Sequence, residues 1–286
     1  MKIAAAALIG AVSALTEVEF EFLQYVAKYG KTYASMAEYE QRLANFTEKH
    51  EFIQNHDPNS TYTVGHNKMS DWSQEEYEAM LTYIAQGNPN TTAPAPQANA
   101  PMSWVDNGCV NPIKDQGQCG SCWAFSAVAS TEGAYCIASG NLQSYAEQQL
   151  VDCDTACYGC NGGWANEGFI YFQSHFAMFE SSYPYTAKDG TCKYSATNNS
   201  GVNTTTYTWV TTQNIDAMKT ALNGHVLSVA IEANKMSFQM YTGGVYNDPH
   251  CGTRLDHATN VVGWNTDATA GDYWIMRNSW GTSWGD

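Results

Sequence analysis

Apolar positions recur at helical spacing through the first part of the chain. Phe22, Tyr25 and Tyr29 form one set, and Tyr39, Leu43, Phe46, His50 and Ile53 a second, with charged residues between them. The pattern predicts two amphipathic helices broken near Gly30. Residues 15–86 as a whole are rich in Glu, Tyr and Phe, contain no Cys, and read as helical. The next stretch, GNPNTTAPAPQANA from Gly87 to Ala100, has neither a charge nor an aromatic ring. It cannot build a core, so it reads as an exposed linker of the kind that proteases cut. From residue 101 the pattern changes. Small and apolar residues lie on almost every side of a segment running from about Ser121 to Ser139, which predicts a buried helix stopped by Gly140. Farther on, YTWVTT from Tyr207, LSVAIEA from Leu227, NVVGW from Asn260 and DYWIMRNSW from Asp272 are β-branched and aromatic runs that read as strands. A helical first half followed by a stranded second half implies two lobes in an α+β arrangement.

The first residues, MKIAAAALIGAVSA, have one Lys, an apolar run from Ile3 to Val12 and small residues at Ser13 and Ala14. They read as a signal peptide, residues 1–14, cleaved after Ala14. Glu17, Glu19 and Glu21 follow at once, and the run is too short to span a bilayer. No later segment is long and apolar enough to do so. Entry to the secretory pathway implies an oxidising space in which disulfides persist, and nine cysteines fit that expectation. Sequons at Asn45, Asn59, Asn90, Asn198 and Asn203 are compatible with it. The formal charge of −15, from 28 acidic and 13 basic side chains, excludes a phosphate-backbone partner, which needs Lys and Arg to displace counterions.

The chemistry concentrates in QGQCGSCWAFS, Gln116 to Ser126. Cys119 and Cys122 with Cys157 and Cys160 have the spacing of two zinc knuckles, but a buried helix joins the pairs and the compartment favours disulfides. A redox dithiol requires a strand leading into the motif; the preceding NPIKDQGQ is short and turn-rich. No metal and no cofactor is therefore expected. The remaining possibility makes Cys122 a nucleophile at a helix N-terminus, where the thiolate is favoured. Its base must come from elsewhere, and His257 in RLDHATNVVGW, followed by Asn278 in WIMRNSWG, supplies a candidate pair.

These stretches, with GCNGG at Gly159 to Gly163, LDHA at Leu255 to Ala258 and NSWGTSWG at Asn278 to Gly285, stand in the order found in papain and the cathepsins. The chain resembles a papain-like cysteine protease precursor. The resemblance implies a papain-like two-lobe fold, with a helical left lobe at about 101–205 and a β-barrel-like right lobe at about 206–286, preceded by a helical propeptide at 15–100. It implies a monomeric endopeptidase zymogen acting on polypeptide substrates in a lysosome, an acidic vacuole or the extracellular space. Cys122 would be the nucleophile, His257 the proton carrier and Asn278 the group that orients its ring, shielded by Trp280. Gln116 and the Cys122 backbone amide would bind the oxyanion, with Trp123 in support. Asp256 is a rival orienter, but neighbours on a strand point to opposite faces.

By the same resemblance Cys119 pairs with Cys160 and Cys153 with Cys192; a third bridge, Cys109 with Cys136, follows from likeness to cathepsin B. Cys157 and Cys251 are left over. Gly162, Gly163, Trp164, Ala165, Ala230 and Leu255 match positions that bind the substrate, and the apolar character of the last four implies bulky apolar side chains at P2, the second residue upstream of the cut. Glu38, Arg42, Phe46 and Ile53 match the cathepsin L-like propeptide helix, with Lys49 and Asp57 where Asn is usual. Gly65, Asn67, Met69 and Asp71 follow its second pattern, Met replacing Phe. Such a propeptide would lie in the cleft as an intramolecular inhibitor, released by acid and by a cut near Ala100, with Glu38 and Arg42 as one acid-sensitive contact. The family continues past the position of Asp286 with further strands, a partner for Cys251 and a residue at the base of the P2 pocket. An inactive, truncated homologue that binds or inhibits proteases is the alternative that this leaves.

Overall fold

The computed structural model describes residues 15–84, 86, 87, 89, 91, 92 and 100–286. The expected signal peptide, the sequon at Asn90 and most of the expected linker lie outside the described residues. In chain order the elements are α1 (Glu17–Tyr29), α2 (Met36–Gln54), β1 (Tyr62–Val64), α3 (Gln74–Glu78), β2 (Met102–Ser103), α4 (Cys122–Ser139), α5 (Glu147–Cys153), α6 (Ala165–Ser174), α7 (Ile215–Leu222), β3 (Leu227–Ile231), α8 (Met236–Gln239), β4 (Tyr241–Gly244), β5 (His257–Asp267) and β6 (Gly271–Arg277). The described residues divide between two compact units, one within 15–77, 235–249 and 283–286, the other within 78–234 and 250–282.

In the first unit, Thr16 caps α1 and forms a reciprocal capping box with Glu19. Gly30 ends the helix at φ 62°, a left-handed conformation that a side chain would strain. The predicted apolar faces meet: Phe22, Tyr25 and Phe46 are buried together, with Tyr29, Tyr33, Tyr39 and Leu43 packed around them. Asp71 gathers the donors of this unit, accepting from the Tyr25 hydroxyl at 2.6 Å, Lys31 Nζ at 2.7 Å and the Tyr33 hydroxyl at 3.0 Å. β1 pairs antiparallel with β4, so residues far apart in the chain share one small sheet.

The second unit is built on α4, which is buried along most of its length and on more than one side, as its lack of a polar face predicts. Gly140 ends it at φ 71°, as expected. Trp123, Ala124, Ala127 and Val128 pack with Leu150 of α5 and Phe172 of α6. β5 is the central strand of an open antiparallel sheet: β3 and β2 pair with one stretch after another, and β6 pairs along residues 260–267. Three of the four predicted strand runs are strands. The fourth, Tyr207 to Thr212, is irregular and half exposed, because β-branched composition describes a surface that suits a sheet and does not by itself make a strand. Residues 79–84, expected as helix, are likewise not helical. All three expected disulfides, Cys109–Cys136, Cys119–Cys160 and Cys153–Cys192, are formed, and Cys122 and Cys157 are free thiols. The 41-residue separation closed by Cys119–Cys160 corresponds to about 3–4 kcal/mol of lost unfolded-state entropy.

Candidate active site

Cys122 is the first residue of α4, fully buried, and its thiol is within hydrogen-bonding reach of the backbone amides of Ala258, Trp123 and Thr82. His257 opens β5, next to Ala258, and is also fully buried. Its Nε2 lies 2.8 Å from Asn278 Oδ1, immediately beyond the end of β6. Trp280 stacks on the imidazole with ring centroids 4.8 Å apart, excluding water from that bond. The other ring nitrogen, Nδ1, is buried and has no hydrogen-bond partner among the described residues. With Asn278 presenting an oxygen, Nε2 carries the hydrogen and Nδ1 is the nitrogen free to exchange a proton. Asp256 is occupied elsewhere, accepting from the Ala233 amide at 2.7 Å.

Gln116 reaches the same place through a short backbone pairing. Its amide donates to the Ser279 carbonyl at 2.8 Å, and Gly281 N–H donates to the Lys114 carbonyl at 3.0 Å. Lys114 is itself anchored to Glu132 of α4 and Glu147 of α5. Ser279 Oγ donates to Gln116 Oε1 at 2.6 Å, which fixes the amide so that Nε2 points to the Cys119 carbonyl at 3.0 Å and the Met80 carbonyl at 3.4 Å.

Residues 80–83 pass directly over this site. The Thr82 hydroxyl donates to the Gly120 carbonyl at 2.8 Å, and Tyr83 N–H to the Asp256 carbonyl at 3.0 Å. Tyr83 forms an isolated parallel bridge with Gly163, and its side chain packs with Trp164 against the cluster that contains Ala165. The approach is close because the chain there is glycine: a Cβ on Gly162 would lie 2.3 Å from the Thr82 carbonyl oxygen, and one on Gly163 2.6 Å from Cys157 Sγ. Burial has an electrostatic effect. It pushes the Cys122 thiol up to about 11, against the backbone amides that favour the thiolate. It pushes His257 down to about 4, against the Asn278 bond. With the cleft covered, burial disfavours the charged form of both the thiol and the imidazole.

The structure thus brings Cys122, His257, Asn278, Gln116 and Trp280 into one neighbourhood. Trp123 faces the core instead, its indole N–H donating to the Gly159 carbonyl at 3.1 Å, so it supports the 159–163 loop. Ala230 is on β3 opposite Ala258, and Leu255 is 37% exposed. Sequence reasoning missed Ser279, although it lies within NSWG, and missed the Met80–Tyr83 segment, which has no Gly or Pro to mark it. It also missed Tyr185, whose hydroxyl donates to the Gln116 carbonyl at 2.9 Å and lies 2.6 Å from Ser121 Oγ.

The family profile for papain family cysteine proteases matches residues 98–286, and the profile for the cathepsin propeptide inhibitor domain matches residues 22–77. The chain belongs to the papain family of cysteine proteases. It is a papain-family zymogen carrying a propeptide inhibitor domain. Digestive cysteine proteinase 1 of Homarus americanus is 37% identical over 302 aligned positions, covering 100% of this chain and 92% of that protein. Fruit bromelain of Ananas comosus is 36% identical, covering 93% of this chain and 78% of that one. Among solved structures, digestive procathepsin L 3 from the larval midgut of Tenebrio molitor aligns with a TM-score of 0.86 at 30% identity, over 95% of this chain and 92% of that one. A recombinant stem bromelain precursor aligns with a TM-score of 0.84 at 34% identity, over 94% and 89% of the two chains.

Proposed function

We propose that this papain-family protease cleaves peptide bonds through Cys122, His257, Asn278 and Gln116. The observation that carries the proposal is the His257–Asn278 bond under Trp280, which leaves Nδ1 free beside the strand residue whose amide faces the Cys122 sulfur. Once the cleft is open, the thiol proton passes to His257 Nδ1, and the thiolate attacks the scissile carbonyl carbon. The C=O pair moves onto oxygen, where Gln116 Nε2 and the Cys122 amide stabilise it. Collapse breaks the C–N bond, His257 gives its proton to the leaving amine, and a thioester remains. Water, deprotonated by His257, releases the acid and the thiol. The thiol-reactive epoxide of a substrate-like peptide, applied after acid activation, should label Cys122. No labelling of the parent, or undiminished labelling of Cys122→Ala, would refute the assignment.

Residues 15–100 act as the inhibitory propeptide, with Met80–Tyr83 as the segment that covers the nucleophile. The Met80 carbonyl already takes the Gln116 donor, which supports blockage at the reacting atoms. Arg42 keeps the expected ion pair with Glu38, at 3.9 Å, and binds Glu76 more tightly through both terminal nitrogens, which makes Glu76 a second acid-sensitive contact. Burial works to raise the Glu76 carboxyl, but its hydrogen bonds to Arg42 and Ser73 hold it below the ordinary value. Its stabilisation is therefore present above about pH 4.5 and is lost as pH falls below that. A bulky apolar P2 residue fits Trp164, Ala165, Ala230 and Leu255, and the packing of Tyr83 on the cluster that holds Ala165 and Trp164 supports the first two. Equal turnover of peptides with Arg and Leu at P2 would rule this out. The N-terminal signal and the disulfides support passage through the secretory pathway to an acidic or extracellular compartment.

A further inference from the structure

Ser121 stands immediately before α4, at the position where a serine side chain ordinarily accepts a hydrogen bond from the helix's own amides. It makes no such cap: its backbone is at φ −105° and ψ 16°, not the extended conformation of a capping residue. Its hydroxyl turns instead to Tyr185, 2.6 Å away, and both side chains are sheltered from solvent. The phenol has one hydrogen, and it goes to the Gln116 carbonyl at 2.9 Å. Tyr185 must then accept from Ser121 Oγ–H, so the proton directions in this small network are fixed. The ring is held from two sides, edge-on against Phe125 at 4.8 Å and by its own N–H donating to Glu180 Oε1 at 2.9 Å. One hydroxyl thereby joins the residue that carries Gln116 to the residue that starts the Cys122 helix.

We propose that Tyr185 is a positioning residue of this site, tying the Gln116 backbone to the start of α4. This rests on the roles of Cys122 and Gln116 proposed above.

Tyr185→Phe keeps the ring and its contact with Phe125 and removes only the hydroxyl. In the activated enzyme, kcat for a peptide amide per titrated Cys122 should fall about tenfold, with KM changed less than about twofold, because the oxyanion donor is loosened and ground-state binding is not. The pH profile for alkylation of Cys122 by iodoacetamide should stay close to that of the parent, because the hydroxyl acts on the oxyanion donor and not on the thiol. A parent-like kcat per titrated site in Tyr185→Phe would overturn the proposal, even if the variant melted earlier or gave fewer active molecules. If the parent itself were not alkylated at Cys122, the underlying site assignment would be the one to fall.

Discussion

His66 gives the helical unit a sensitivity to mild acid that its carboxylates do not. Its imidazole stacks on Phe46 with ring centroids 4.1 Å apart, its Nε2 is 3.2 Å from His50 Nδ1, and its own Nδ1 is buried without a hydrogen-bond partner among the described residues. Tyr25 of α1 packs on the same ring. Burial, then the neighbouring His50 and Lys28, push its pKa down to about 4. Above pH 6.5 the folded and unfolded chains are both neutral here and the stability is complete. As pH falls through 6.5 the unfolded chain takes up a proton that the folded one refuses, and stability drains until about pH 4. At pH 5 the full separation of the two values would be worth about 2 kcal/mol; with the ring only half buried, solvent screening reduces this to about 1 kcal/mol. For a unit of this size that is about 4–8 °C in melting temperature. The comparison is His66→Phe against its parent, both as the full chain with Cys122→Ala to prevent processing. Between pH 7 and pH 5 the first melting step of the parent should fall by that much more than that of the variant. Equal falls would show that the imidazole does not sense pH, and the argument from burial would fail.

Three further outcomes follow from the same geometry. Because the covered thiol is held at about 11, iodoacetamide should alkylate Cys122 of the unprocessed chain at neutral pH at least about 100-fold more slowly than after activation; equal rates would show that Met80–Tyr83 does not control the thiol. Gly163→Ala places a methyl 2.6 Å from Cys157 Sγ and 2.8 Å from the Trp123 ring, and should cost about 2–3 kcal/mol in urea unfolding; a cost below about 0.5 kcal/mol would mean that the loop has room to give. Replacing Cys119 and Cys160 together with alanine should cost about 3–4 kcal/mol in the same assay, with Cys122 still reactive, and loss of Cys122 reactivity in folded protein would place the bridge within the chemistry.

The elements nearest the chemistry were legible because their signals are local. The helix after Ser121 shows itself by the absence of a polar face, its end by Gly140, and β5 and β6 by β-branched runs bounded by turns. The run at Tyr207 failed for the complementary reason. A strand exists only where another strand accepts its hydrogen bonds, and nothing in YTWVTT states whether one is present.

The same division runs through the site. Residue type and order alone picked out the candidate side chains: a cysteine at a helix start, a histidine on a later strand and an asparagine just beyond another. Tertiary structure decided everything that depends on distance across the chain. It added Glu76 to Glu38 as a partner of Arg42, put Ser279 and Tyr185 behind Gln116, and laid Met80–Tyr83 over the Cys122 site. It also decided charge, because a thiol at a helix N-terminus favours its anion only while water or a cation is near. Covering that thiol reverses the preference, and covering is a property of the folded chain that no motif encodes.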